Sequence, residues 1–184
     1  MRVKKELLLG EWAVLALLCE QPRHGYGLAA LTSREGEVGR IWTVRQPLVY
    51  RTFEVLRERG LIEVAASKPG QGGPARVEMT ATRDGRAMVD EWLYQPEQRL
   101  RNLRSGFILK LVLLKRRGLT VSPLLEQQRA RIEDILRDLR AEASGHGDEV
   151  PVIVDWRISV GEAALEFTEK AIKNDRSAGD HISR

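Results

Sequence analysis

One cysteine, three histidines and a 5% share of aromatic residues are all that this chain of 184 residues holds of those types. A single thiol excludes an intrachain disulfide, and Cys19 lies within an apolar run, which gives it a packing role and suits a reducing cytoplasm. His24, His146 and His181 fall in a turn, a glycine-flanked loop and the C-terminal tail, with no carboxylate or thiol at metal-ligand spacing. No metal is expected. The glycines of GQGG at 70–73 are followed by neither Lys-Ser nor Lys-Thr and open no helix, so they do not form a phosphate loop. GxSxG, HExxH and any ordered pair of buried carboxylates are missing as well, and no catalytic residue or cofactor is expected. Long apolar runs are absent too: none approaches the roughly 20 residues that a membrane helix needs. The opening MRVKKELLLGEWAVLALLCEQ is interrupted by Glu6, Glu11 and Trp12 and has no small-residue cleavage site, so a soluble cytoplasmic protein is expected. The formal net charge is only +4, and gross electrostatics demand no polyanionic partner.

What the chain does have is WTVRQPLVYRTFEVLRERGLI, from Trp42 to Ile62. Pro47 suits the first helical turn, and Leu48, Thr52 or Phe53, Val55 or Leu56 and Arg59 recur at helical spacing. Gly60 then supplies a left-handed stop. The outward face is read as Arg45, Val49, Tyr50, Arg51 and Arg57, a set suited to phosphates, base edges and thymine methyls. Across residues 38–62, Arg40, Arg45, Arg51, Arg57 and Arg59 stand against Glu54 and Glu58, so basic charge is concentrated here. Taken alone, such a helix reads as a solvated surface helix, since arginines on helices usually face water.

Its surroundings favour DNA. EVAAS, the loop KPGQGGP and the alternating ARVEMTAT read as a two-stranded hairpin with a long tip. Ahead of it, Leu8, Trp12, Leu15 and Leu18 or Cys19 form one helical stripe, and GYGLAALTSR a second short helix. Helix, helix, recognition helix and wing is the order of a winged helix-turn-helix.

At these residues the chain resembles the PadR-like transcriptional regulators. The resemblance rests on His24, Gly25 and Tyr26, on Tyr50 and Arg51 within VYRTFEVLRERGLI, on Gly73, Pro74 and Arg76, and on TRDGRAMVDEWL from Thr82. FILKLVLLKRRG from Phe107 is similar to the start of the longer helical C-terminal domain of one subgroup, the type also found in AphA-like virulence activators. The chain departs from the family at Arg45, where a small polar residue is common, and at Val77 and Met79, where tyrosines are common. The resemblance implies ligand-responsive repression for many members, often toward aromatic or drug-like compounds. Trp12, Trp92 and Phe107 are the candidates to line a cavity for a small aromatic effector; the alternative is that all three are core.

Past the wing, Thr82 caps a helix through Met88, Val89, Trp92 and Leu93 that ends near Pro96. Gly118 stops a helix begun at Phe107. Ser122 and Pro123 open another, with a seam of Leu125, Ile132, Ile135, Leu136 and Leu139 and a Glu133–Arg137 pair. Asp155 caps a last helix with Trp156, Val160, Ala163 and Phe167 on one face.

The expected fold is mainly α with a small two-stranded hairpin. It comprises a winged helix-turn-helix domain over 1–96, a helical dimerisation domain over 97–175 and a disordered tail over 176–184. The expected function is that of a homodimeric repressor on double-stranded DNA with a palindromic operator, paired through the first helix and residues 100–175. Gln46, Val49 and Tyr50 face bases, Arg45 and Arg51 hold phosphates or guanine, and Lys68 and Arg76 act from the wing. The alternative is a winged-helix module for protein contact without DNA binding.

Overall fold

The computed structural model describes residues 6–68, 76–146 and 150–182. The chain divides into two compact units, Met1–Leu93 and Tyr94–Arg184, and its described part is mainly helical with one two-stranded hairpin.

Helix α1, Leu9–Glu20, is buried continuously from Trp12 to Cys19. A helix without a polar stripe must be enclosed on all sides. The single stripe expected from sequence is therefore replaced by full enclosure, and Leu8, placed on that stripe, is exposed. Between Trp12 and Cys19 no free apolar face remains for a partner subunit. The Glu11 carboxylate accepts from the Leu8 N–H at 2.8 Å and closes the N-terminus. Helix α2, Gly25–Leu31, is capped by His24, whose Nδ1 accepts from the Gly27 N–H at 3.0 Å.

Helix α3, Gln46–Glu58, ends as its sequence demands. Gly60 adopts φ 70 and the Leu61 N–H donates to the Leu56 carbonyl at 2.9 Å. The chain turns into strand β1, Ile62–Lys68, which pairs antiparallel with β2, Arg76–Ala81, from Ile62 opposite Ala81 to Lys68 opposite Arg76. An irregularity between Val64 and Ala66 interrupts the register. The tip, with Gly73 and Pro74, lies outside the described residues. Arg23 extends the hairpin: its N–H donates to the Met79 carbonyl at 3.0 Å, and the Met79 N–H donates back at 2.9 Å. A one-residue bridge has no periodicity, and the sequence offered no sign of it.

Helix α4, Arg83–Tyr94, is capped by Thr82 as expected. The Thr82 hydroxyl accepts from the Gly85 N–H at 3.1 Å and donates to the Gly60 carbonyl at 2.8 Å, which ties α4 to the end of α3. A Cβ on Gly85 would stand 2.2 Å from the Leu61 carbonyl oxygen, so this position must be glycine for the backbones to approach.

In the second unit, α5 (Leu100–Asn102), a π-helical turn (Leu103–Phe107) and α6 (Ile108–Arg116) follow one another directly. Gly118, at φ 65, ends this run. Helix α7, Ser122–Ser144, buries Leu124, Leu125, Gln128, Ile132, Ile135, Leu136 and Leu139. It packs along α8, Val152–Ile182. On α8 the buried positions are Val154, Gly161, Thr168 and Ile172, and a Cβ on Gly161 would lie 2.7 Å from Leu136.

Several details differ from the sequence reading. The row Trp156, Val160, Ala163, Phe167 shares one face as expected, and what the sequence left open is that this face is turned from the α7 seam, with Trp156 65% exposed. Asp155 lies in the first turn of α8 rather than at its cap, because the helix begins at Val152 after Pro151. Arg137 pairs with Asp134 at 2.8 Å in place of Glu133. Helix α8 runs to Ile182, through the stretch read as tail.

Candidate nucleic-acid interface

Helix α3 turns Val49, Thr52 and Leu56 inward. Arg45, Gln46, Pro47, Leu48, Tyr50, Arg51, Glu54 and Arg57 are exposed. Among the described residues, Arg45, Arg51 and Arg57 enter no ion pair, so three guanidinium groups are open to solvent on this helix. The outward placement of Val49 is corrected: it is fully buried, and Leu48 is 48% exposed instead. At about 100° per residue, Val49 lies roughly 20° from Leu56 around the axis and Leu48 roughly 80°. Counting back two turns from Leu56 would have chosen correctly.

The base of the helix is held firmly. Its Arg45 cap has no side-chain hydrogen bond, so orientation comes from packing. The Tyr50 ring lies across Gly25, where a Cβ would come within 2.6 Å of it, and meets Phe53 edge-on at 6.2 Å. Tyr50 thus stays 47% exposed with its ring fixed.

The connection from α2 to α3 is folded rather than loose. The Thr32 hydroxyl donates to the Val44 carbonyl at 3.1 Å and the Val44 N–H returns to the Thr32 carbonyl at 2.9 Å. Val38 and Val44 are buried beneath the loop. Arg34, Thr43, Arg45 and Leu48 then wall one open cleft, and a neighbouring cleft of the same face adds Tyr26, Ser33 and Gln46. Trp42, half exposed, sets its indole nitrogen beside Gly10 of α1. On the wing, Lys68 and Arg76 form the cross-strand pair next to the tip.

Residues 14–91 match the model of the Transcriptional regulator PadR-like family. This segment is a PadR-like domain. No curated protein sequence matches the chain. Solved structures that resemble it include Bacillus subtilis PadR in complex with operator DNA, at 19% identity, 95% coverage of this chain, 99% of that chain and a TM-score of 0.47. The same protein in complex with p-coumaric acid gives 17% identity, 95% and 99% coverage and a TM-score of 0.41. The Vibrio cholerae virulence activator AphA gives 15% identity, 96% and 98% coverage and a TM-score of 0.37. The winged fold of the PadR-like domain rests on the elements described above.

Within that domain, two of the residues that carry the resemblance have a visible structural role: His24 caps α2, and Gly25 makes room for the Tyr50 ring. Sequence reasoning missed Leu48, and with it Tyr26, Arg34 and Thr43, which a loop brings to one face. Trp12 and Trp92 stack on each other at 4.7 Å between ring centroids and 3° between planes, both nearly buried. Facing rings at that spacing leave no slot between them for a planar molecule. Phe107 belongs to the second unit and meets Phe167 edge-on at 6.4 Å. No group of metal-ligating side chains is present among the described residues, and no described helix is long and apolar enough to cross a membrane.

The corrected place of Val49 has a measurable consequence. Val49→Ala should lower unfolding free energy by about 1 to 2 kcal/mol, the worth of two buried methyl groups, and leave DNA affinity unchanged in the folded protein. Chemical denaturation and binding anisotropy on one preparation check both halves; a large affinity loss at unchanged stability would return Val49 to the contact face.

Proposed function

We propose that the chain is a homodimeric transcriptional repressor that binds a palindromic operator, with α3 of each protomer in the major groove and the wing against the backbone. One observation carries this reading. The helix that leads into the hairpin presents Arg45, Gln46, Tyr50 and Arg51 outward, with both guanidinium groups free of carboxylates. Phosphate contacts from such a face position the protein, and side chains in the first turns reach base edges.

Pairing is assigned to α8. Its row of Ile153, Trp156, Val160, Ala163 and Phe167, exposed apart from the half-buried Val160, repeats at alternating three- and four-residue steps, the spacing of a helix–helix seam. Trp156, 65% exposed, would be covered by a second copy. Two protomers then read half-sites about one helical turn apart. Release by a small aromatic effector, bound outside the closed Trp12–Trp92 stack, completes the reading.

Operator selection from random DNA, followed by binding anisotropy in a salt series, tests the proposal. An inverted repeat and an affinity that falls steeply with salt are expected. No enriched sequence with a salt-independent response would replace DNA by a protein partner. Trp156→Glu should yield a monomer in sedimentation with weakened operator binding.

A further inference from the structure

The first turn of α3 carries a leucine where a solvated helix would carry a polar residue. Leu48 is 48% exposed while its neighbour Val49 is fully enclosed, so the phase of the helix directs Leu48 outward. Its surroundings carry guanidinium groups: Arg34 and Arg45, with the neutral Thr43, line the same cleft, and exposed Arg51 follows three residues later on the same face. An apolar knob ringed by guanidinium groups suits a surface that is anionic around its edge and apolar at one point. An apolar patch on a protein would offer nothing to so many cations. The floor of the DNA major groove offers both: phosphates flank it, and its one apolar feature is the methyl group on C5 of a pyrimidine.

Resting on the reading that α3 enters the major groove, we infer that Leu48 is a specificity-determining residue that packs on a pyrimidine 5-methyl group, that of thymine in unmodified DNA, in each half-site. Arg45 and Arg51 flank that contact and hold the neighbouring phosphates or guanine. The spacing Arg45, Leu48, Arg51 follows one ridge of the helix, so the three address consecutive positions along the groove.

The experiment uses the full chain and its selected operator. Each thymine of one half-site is replaced in turn by deoxyuridine, which keeps the pairing edge and removes only the methyl. At one position the native protein should lose about fourfold in affinity, the worth of one buried methyl group. Leu48→Ala should bind the thymine operator about fourfold more weakly and make no distinction between thymine and uracil there. Exchanging that pair for cytosine–guanine, with and without a 5-methyl group on the cytosine, separates the methyl contact from recognition of thymine as a base: the methylated form should bind more tightly. Equal uracil sensitivity in native and Leu48→Ala proteins, or none at any position, overturns the inference while leaving operator binding in place. Failure to select any operator removes the DNA reading, and this inference with it.

Discussion

Glu97→Ala is expected to lower the unfolding free energy by about 3 to 5 kcal/mol, the usual consequence of removing the carboxylate from a buried ion pair. Lys110, 2% exposed, donates through its ammonium to the Glu97 carboxylate at 2.8 Å and to the Gln95 carbonyl at 2.8 Å. Asn102 donates to the second Glu97 oxygen at 3.2 Å. Fully buried Gln128 clasps the Glu97 backbone from both sides, its Oε1 accepting from the N–H at 2.7 Å and its Nε2 donating to the carbonyl at 3.1 Å. Gly106 of the π-helical turn admits the carboxylate, since a Cβ there would stand 2.5 Å from it. The segment just after α4 is thus fastened to α6 and α7 by a polar network in which each group depends on the others.

Adding Lys110→Met to the Glu97→Ala chain should recover most of the loss, because it removes a buried charge that no longer faces a carboxylate at Glu97; urea titrations of the two proteins measure the difference. Burial pushes the Lys110 ammonium below its usual 10.5, against the opposing pull of Glu97. In the window below 10.5 the unfolded chain therefore binds more protons than the folded one, and this lysine's contribution to stability rises with pH there. Stability of the native protein relative to Lys110→Met should accordingly increase as pH approaches 10.5. A flat difference across that range would mean that the ammonium is solvated.

Replacing both Arg45 and Arg51 by alanine is expected to weaken operator binding by about 2 to 6 kcal/mol, taking about 1 to 3 for each residue and near-additivity for separate, unpaired side chains. The split between base and phosphate contact is read from how the loss is distributed. If Arg51 holds guanine, Arg51→Ala relaxes preference at one base pair of the selected operator; if it holds phosphate, all sequences weaken alike and the salt slope falls by about one. Neither side chain is buried, so both variants should unfold like the native protein. Unchanged affinity in the double replacement would remove this face of α3 from the interface.

The sequence carried much of this architecture because its punctuation is local. Gly60 and Gly118 stop their helices at positive φ, Thr82 caps α4, and the glycine- and proline-rich stretch after Lys68 separates the two strands. Such signals act within a turn or two of chain and need no tertiary context. The cationic face of α3 was legible for the same reason, since arginines clustered on one helix remain clustered however the rest folds. Errors arose where a choice depended on what packs against an element. Val49 and Leu48 are neighbours of equal local standing, and only the core beneath α3 selects between them. The apolar row of α8 was visible as a row, but α7 took the opposite side. The tryptophans that suggested a cavity stack on each other instead.

By itself, then, the order of residues determined the succession of helices and hairpin, their ends, and the concentration of arginine ahead of the wing, because hydrogen-bond capping, backbone freedom at glycine and charge density are properties of short segments. Only the folded chain decided which side of each helix meets solvent, put Arg34 and Thr43 beside Leu48, and set Glu97 against Lys110 across a gap that Gly106 leaves open. Those outcomes follow from dense packing and from the cost of unpaired buried polar groups, which couple residues far apart in sequence.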